Sequence, residues 1–481
     1  MTIKITRFLP AGLLLALSSI VAMPAMAWSN HALGTWQALS SVFSNTNTPD
    51  VRAENLTTFL SAEAQALALV LNREEQWART NVPGYPQRPE ALAYRPVADM
   101  VQTRARFLAA LRINPNVKLP LYLQLKPGTD LRGKAPIHWS EVTTLENATS
   151  VKHGVFLRVQ EGELVSALDV VASGSDEPDY GLDLGLWDNN LASTTSNVAK
   201  ATKPTTSASA LAYGFGKQPF GNPALEYSSQ APFHMGFFHE SPIVYQAASF
   251  LRRTYPEYRI HLYQTLAAHA FASGHPYWGW RFAGWALHYV QDLTQPYHAM
   301  VLPGISVSRM LWVNAIDLLG AHESKQQLIM RVSNRHAALE NYQYRRMRAA
   351  YLSGDKSDAL LRAAADNTPE ARHPLPPYSS ASVRQVISLQ SHDAADATDA
   401  ALEKILPAKY ISDPRYVFGE TEPEIDLFAL VATFTPEQQK IMTNLATGLM
   451  RNFGTHSRSF IRALPPPSSP RRTPPITLPS S

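Results

Sequence analysis

The stretch Ala283–Met300, AGWALHYVQDLTQPYHAM, contains the residues from which the fold and function of this chain are best approached. His288 and Asp292 are four positions apart, so on a helix they share one face. Pro296 ends such a helix, because proline lacks a backbone N–H and clashes with the preceding turn. That break lets His298 turn back toward the same point. The set suits a divalent transition metal, and it equally suits a half-buried helix with hydrogen-bonded polar side chains.

The composition limits the kinds of site that this chain can form. It has 481 residues, of which 45% are hydrophobic, enough for a large core and for two or three domains. The net charge of +4 includes Lys4 and Arg7 near the start, which is too little to indicate binding to nucleic acid or an anionic membrane. There are no cysteines, so a metal site must use His, Asp, Glu or backbone groups.

The first 27 residues, Met1–Ala27, have the pattern of a secretory signal peptide. A basic start precedes the apolar run Ala11–Ala22, and Ala25-Met26-Ala27 fits the small-x-small cleavage rule. An uncleaved anchor is the alternative, but the apolar run is short for a membrane span. We therefore expect a cleaved protein that is secreted or periplasmic.

Cleavage after Ala27 would make Trp28 the first residue of the mature chain. A free α-amine has a pKa of about 8, so a metal ion readily displaces its proton. The amine and the carbonyl of Trp28 can then chelate one ion. His31 lies three residues further on, within reach of the same ion.

Apolar residues recur at helical spacing over most of the chain, which predicts a mainly α fold. Tyr85–Gly154 is predicted to be a loop-rich insertion, residues 350–464 a helical part without an assigned role, and residues 465–481 a disordered Pro/Ser-rich tail. Gly174–Asn190 reads as an acidic loop. The principal predicted helices are Ala32–Glu75, Val155–Ala172, Pro242–Ala272, Trp278–Thr294, Ser306–Leu319, Glu323–Leu352, Ser382–Leu406 and Pro436–Ile461.

A second pair of metal-compatible residues, His336 and Glu340, has the same four-residue spacing within a predicted helix. With these groups in place, the chain resembles the bacterial zinc-dependent phospholipases C and their sister group, the S1/P1-type nucleases. That family is mostly helical, holds three zinc ions and begins its mature chain with a liganding Trp. The motifs that carry the resemblance are H-Y-x-x-D-x-x-x-P-x-H (His288, Tyr289, Asp292, Pro296, His298), H-x-x-x-E (His336, Glu340) and P-D-Y (Pro178, Asp179, Tyr180).

The resemblance implies three zinc sites and one proton acceptor, Asp179. A further histidine is expected between Asp179 and His288, and His239 is preferred to His234 because its distance from His288 suits the family's spacing. The three implied ligand sets are Asp179, His239, His288 and Asp292; His298, His336 and Glu340; and the Trp28 amine and carbonyl with His31 and a bridging Asp292.

The function implied by the resemblance is an exported phospholipase C that hydrolyses the glycerol–phosphate ester bond of phospholipids with metal-activated water. A nuclease of the sister group is the alternative, although Ala299–Gly304 differs from its Gly-Gly-Asn run and disulfides are lacking. A non-catalytic exported zinc protein is the alternative from another class. We expect a monomer that meets its substrate at a membrane surface, without a transmembrane segment after processing.

Overall fold

Helices dominate the structure, with 63% of the residues in helices and 4% in strands. This computed structural model describes residues 29–46, 48–131, 133–144, 154–187, 212–220, 230–372, 374–419 and 421–467. The predicted signal peptide, Trp28 and residues 468–481 of the predicted tail lie outside the described residues. The prediction of a mainly α fold is confirmed, while the phospholipase C/P1 nuclease-like fold stays a prediction. Each described helix is too short or too polar to traverse a bilayer.

The α-helices and strands follow one another along the chain with short connections. The α-helices are α1 His31–Asn45, α2 Leu56–Asn81, α3 Met100–Leu111, α4 Ala167–Glu177, α5 Ala231–His234, α6 Pro242–Ala247, α7 Pro256–Ser273, α8 Pro276–Asp292, α9 Pro296–Ala299, α10 Val307–Leu318, α11 Glu323–Ser353, α12 Ala359–Ala365, α13 Thr368–Arg372, α14 Ser380–Ser382, α15 Leu389–Ile405, α16 Ala408–Ile411, α17 Leu427–Val431 and α18 Pro436–Arg462. The strands are β1 Val51–Arg52, β2 Tyr122–Leu125, β3 Pro136–Ile137, β4 Val155–Arg158 and β5 Leu164–Val165. They form an antiparallel β1–β5 pair and an antiparallel sheet in the order β2–β4–β3.

Helix α8 lies in the interior, because every residue from Tyr277 to Asp292 is buried. It starts with Pro276 at the first helical position, where the missing N–H would have had no partner within the helix. Its sides pack against α4, α7 and α18. A helix that is apolar on nearly every side is covered on every side. This burial carries His288 and Asp292 into the centre of the molecule.

Two glycines allow α4 and α8 to cross in backbone contact. A Cβ on Gly284 would lie 2.6 Å from the carbonyl oxygen of Val171, and a Cβ on Gly174 would lie 2.8 Å from the carbonyl oxygen of Arg281. Atoms at those separations overlap, so a larger side chain would force the helices apart. Because α4 leads into Asp179 and α8 carries Asp292, this crossing helps to set the distance between the two carboxylates.

The prediction of a single helix over Val155–Ala172 is wrong. Strands β4 and β5 occupy its first part, and α4 begins only at Ala167. The reversal between the strands contains Gly162 with a φ of 81°, a conformation that favours glycine. Strand β4 pairs with β2, so Leu125 lies opposite Val155. This long-range pairing leaves no trace in the local apolar spacing.

Two further predictions are corrected. Where the structure describes it, the predicted acidic loop Gly174–Asn190 begins as the end of α4 and continues as a π-helical turn over Pro178–Leu182. The predicted helix Pro242–Ala272 is divided into α6, a 3-10 turn at Ser249–Arg252, and α7. The division follows from Pro256, because a proline disfavours helical geometry in the residue before it.

The two segments without an assigned role contribute to the same core as α8. In the first, Phe107 and Leu111 of α3 are fully buried, and the hydroxyl of Tyr122 donates a 2.6 Å hydrogen bond to Glu177 at the end of α4. In the second, α18 packs against α1, α8 and α12. Both segments therefore support the helices that carry the candidate site.

The helix crossing predicts the effect of one methyl group. We expect Gly284→Ala to lower the free energy of unfolding by about 1–3 kcal/mol, because the new Cβ overlaps the backbone of α4. The control is Gly448→Ala in α18, where an added Cβ meets nothing within 4 Å. It should stabilise the protein by about 0.5–1 kcal/mol, since alanine is the better helix former. Urea unfolding followed by far-UV circular dichroism measures both, and equal effects would contradict the close crossing.

Candidate metal centre

Residues from six segments meet in the interior as groups of potential metal ligands. They form three such groups, and within each group the ligand atoms lie within 4.8 Å of one another. The side chains are almost completely buried except for Asp179, which is 13% exposed. The groups are His31, His288 and Asp292; Asp179, His234 and His288; and His298, His336 and Glu340.

Asp292 is surrounded by imidazole rings. Its Oδ1 lies 3.4 Å from Nε2 of His31, and its Oδ2 lies 2.9 Å from Nδ1 of His234 and 3.4 Å from Nε2 of His288. The four-residue spacing on α8 therefore places His288 and Asp292 together as predicted. The contact with His31 brings the start of α1 into the same group, so Asp292 faces ligands from three segments.

Asp179 completes this arrangement from the opposite side. Its Oδ1 lies 3.6 Å from Nδ1 of His234 and 3.5 Å from Nε2 of His288, and its Oδ2 lies 3.8 Å from Nε2 of His31. The π-helical turn after α4 holds Asp179 in this position. The carboxylates of Asp179 and Asp292 thus share the same three imidazoles, and together these five residues form what we call the first cluster.

The second cluster consists of His298, His336 and Glu340. Nε2 of His298 lies 3.1 Å from Nε2 of His336, which in turn lies 2.6 Å from Oε1 of Glu340. Burial, together with the charges of Asp179 and Asp292, raises the pKa of Glu340 well above its usual range. The structure brings together all three residues of this predicted set.

Hydrogen bonds outside the clusters orient the rings. Nδ1 of His288 lies 2.8 Å from the carbonyl oxygen of Ser175, and Nδ1 of His31 lies 2.9 Å from Oε1 of Gln291. An N–H that donates to an oxygen leaves the opposite ring nitrogen as the metal-binding one. In both histidines that opposite nitrogen, Nε2, faces the carboxylate of Asp292.

His234 joins the two clusters. Its ring faces Asp292, while its carbonyl oxygen accepts a 2.8 Å hydrogen bond from Nδ1 of His298. On the far side of the ring, Nε2 of His234 lies 3.3 Å from Oδ2 of Asp183. Asp183 is itself bound by Arg259 at 2.6 Å and by the hydroxyl of Tyr289 at 2.6 Å. A carboxylate behind a histidine in this way is the usual support for a metal ligand.

The neighbouring acids differ in how their charge is balanced. Glu177 and Asp183 form buried ion pairs with Arg281 and Arg259, respectively. Among the described residues, Asp179 and Asp292 have only histidines as ionic partners. Buried carboxylates without a fixed cation are costly, so this site favours a bound positive ion.

Unsatisfied polar atoms in the first cluster support the same interpretation. In the described part of the chain, both carboxylate oxygens of Asp292, Oδ1 of Asp179 and Nε2 of His31 lack a hydrogen bond of ordinary geometry. Buried polar atoms normally have such partners. Imidazole nitrogens and carboxylate oxygens are donors that zinc accepts, so the residues fit a transition-metal ion. These buried groups could bind metal ions.

Protons compensate the charge of the first cluster where no metal does. Burial opposes protonation of His234, but the carboxylates of Asp292, Asp183 and Asp179 outweigh it and raise the pKa of His234 to about 10. Burial raises the pKa of Asp179 above its usual range. The nearby imidazoles hold the pKa of Asp292 well below its usual range, despite burial. A metal ion would have to displace protons from this cluster.

The preference for His239 over His234 is corrected by the position of the two side chains. Nε2 of His239 lies 2.9 Å from the carbonyl oxygen of Arg384, and the ring packs against His392, away from both clusters. The N–H of Gly236 donates a 2.7 Å hydrogen bond to the carbonyl oxygen of His298. This contact draws the residues just after His234, and not His239, toward α9.

Two acids of the predicted acidic loop act as supports and were not predicted in that role. Asp183 backs His234, as described above. Oδ1 of Asp176 accepts the backbone N–H groups of His31 at 2.5 Å and Ala32 at 3.2 Å. It therefore caps the start of α1 and fixes His31, while the predicted ligand Trp28 lies outside the described residues. The density of acids after α4 was the only sequence signal for these roles.

Comparison with known proteins adds no assignment. No protein-family model, no curated protein and no solved structure matches this chain. The site therefore has to be interpreted from its own geometry.

The placement of the two histidines predicts different metal contents for two variants. We expect His234→Ala to lose at least one zinc ion per chain relative to the wild type, because its ring contacts both carboxylates of the first cluster. His239→Ala should keep the wild-type zinc content, since its ring bonds to a backbone carbonyl elsewhere. Atomic emission spectroscopy after dialysis measures the stoichiometry, with circular dichroism as a check on folding. Loss of zinc from the His239 variant alone would contradict this placement.

The proton balance predicts that zinc binding depends on pH. At pH 7 we expect the metal-free protein to release about two protons per chain on binding zinc, because the pKa values of His234 and Asp179 are raised. Zinc affinity should therefore fall as the pH is lowered. Calorimetric titrations in two buffers with different ionisation enthalpies give the number of protons. Identical binding enthalpies in the two buffers would contradict proton displacement.

Proposed function

We propose that this protein is an exported zinc-dependent phosphodiesterase of the phospholipase C type, hydrolysing the glycerol–phosphate ester bond of phospholipids. One observation carries the proposal: two adjoining buried clusters of His, Asp and Glu, linked through the ring and carbonyl of His234. The zinc content, the substrate and the export are all proposals. The metal-rich arrangement and the sequence motifs support them.

Zinc ions held here would supply Lewis acidity, which lowers the pKa of water and neutralises a phosphate ester. The residues that would hold them are His31, Asp179, His234, His288 and Asp292 in the first cluster, and His298, His336 and Glu340 in the second. The predicted amine and carbonyl of Trp28 would add to the His31 side. The chain itself contributes fixed ring orientations, so little rearrangement is needed when a ligand binds.

Asp179 is the group best placed to act on a substrate. Its side chain is 13% exposed, whereas the other candidate ligands of both clusters are at most 1% exposed. Its Oδ1 accepts no hydrogen bond of ordinary geometry from the described residues. A carboxylate whose pKa is raised by burial is also a better proton acceptor. We assign it the role of the base that takes a proton during hydrolysis.

The choice of a phospholipid substrate rests on the resemblance in the motifs and on the small net charge. The aromatic residues that might have contacted acyl chains are packed inside the protein. Trp278 and Phe237 are at most 1% exposed and Trp280 is 6% exposed. Contact with lipid must therefore involve other side chains.

A panel of substrates tests the proposed activity. The zinc-loaded protein, beginning at Trp28, is offered phosphatidylcholine, a soluble chromogenic phosphocholine ester and single-stranded DNA. We expect hydrolysis of the first two and loss of activity with a chelator. Asp179→Asn should lower kcat by about 100-fold or more, because it removes the proton acceptor. The control Asp393→Asn changes a 70% exposed carboxylate and should leave kcat unchanged.

The other outcomes point to the alternatives. Cleavage of DNA alone would overturn the phospholipase proposal in favour of a nuclease. Bound zinc with no turnover of any substrate would indicate a non-catalytic zinc protein. Unchanged zinc content and activity in a form with one extra residue before Trp28 would refute the predicted role of its amine.

A further inference from the structure

Helix α10, Val307–Leu318, exposes large apolar side chains to solvent. Trp312 is 59% exposed, Leu318 is 44% exposed, and Leu319, which directly follows the helix, is 87% exposed. Val313 is the only residue of α10 that is buried. Ile243 of α6, a helix that α10 contacts, is a further exposed apolar side chain. Apolar side chains grouped in this way on a surface indicate a binding face.

The orientation of α10 is the inverse of an ordinary surface helix. Asp317 turns inward, with its carboxylate 2.7 Å from Nζ of Lys325 and 2.7 Å from Nδ1 of His322. Asn314 is half-buried and donates to the carbonyl oxygen of Met310. One outward stripe follows the helical spacing: Ser308, Trp312, Ala315 and Leu319. A surface helix normally turns its apolar side to the core and its polar side to water.

We propose that this stripe docks the protein on the surface of a phospholipid bilayer, with Trp312 and Leu319 entering the boundary between headgroups and acyl chains. An interfacial helix needs an apolar face with tryptophan or leucine and cations at its edge. Between Val307 and Leu319 the exposed charged side chains comprise one cation, Arg309, and no acid. The charge of this face therefore suits lipid phosphates, since Asp317 is already neutralised.

The size of the stripe favours a bilayer over a second copy of the chain. A helix of 12 residues is about 18 Å long and about 10 Å wide, so its outward face covers about 200 Å². A stable protein–protein interface needs about 800 Å² from each partner. A bilayer has no such minimum, because a few inserted apolar side chains already give measurable binding.

The choice of a lipid partner rests on the proposed phospholipase function, so binding is measured separately from hydrolysis. The chain has no cysteine, so Ala315→Cys accepts a single environment-sensitive fluorophore on the stripe. Leu69→Cys, at a 62% exposed position of α2, is the matched control. With phosphatidylcholine vesicles and a chelator present, we expect a blue shift and a rise in emission for the label at position 315 alone.

A double variant then connects docking with catalysis. Trp312→Ser with Leu319→Ser should lower vesicle partitioning at least about tenfold, because it removes two large apolar side chains. The same variant should lose vesicle hydrolysis in proportion, while it turns over the soluble phosphocholine ester at the wild-type rate. Leu69→Ser is the control and should change neither measurement.

The possible results separate docking from the proposed function. Failure of the wild type to bind vesicles, or equal responses from the two labels, would overturn docking. A dimer in sedimentation that the double variant abolishes would also overturn it, in favour of a second copy. Vesicle binding through the stripe without turnover of either substrate would uphold docking and refute the phospholipase proposal.

Discussion

The carboxylate of Asp292 imposes the strongest constraint on this structure. It is fully buried, holds a low pKa and faces three imidazoles at 2.9–3.4 Å without a hydrogen bond of ordinary geometry from the described residues. A buried charge of this kind persists only with compensating positive charge. The buried helix α8, the glycine crossing with α4 and the cap on α1 all serve to keep those partners close.

His234 makes the two clusters depend on each other. Its ring contributes to the first cluster, its carbonyl orients His298 of the second, and Asp183 with Arg259 holds it from behind. A shift of this single residue changes the geometry at both clusters. The clusters are therefore one centre in structural terms, although their ligands come from separate segments.

Local sequence spacing predicted the residues that share a helix and missed those placed by long-range contacts. The pairs His288 and Asp292, and His336 and Glu340, follow from one helical turn, a property that needs no tertiary information. The choice between His234 and His239 depends on a backbone contact between Gly236 and His298, which spacing does not encode.

The same division holds for the fold. The mainly α class followed from apolar periodicity, and the long helices α8, α11 and α18 end within a few residues of their predicted positions. The helix predicted over Val155–Ala172 failed because β4 pairs with a strand some thirty residues earlier. The supporting roles of Asp176 and Asp183 also depend on partners far along the chain, His31 and Arg259.

The hydrogen bonds of Gln291 bear on the order in which the protein is made. Its Oε1 accepts from His31, and its amide nitrogen donates to Thr35 of α1 and to Ser457 of α18. The first and last described helices thus meet at one side chain behind a candidate ligand. During synthesis α18 emerges from the ribosome after every other helix, so the ring of His31 gains its full support only when the chain is nearly complete. A metal ion that reaches a partly made chain meets an unfinished set of ligands, and tight binding becomes a property of the finished molecule.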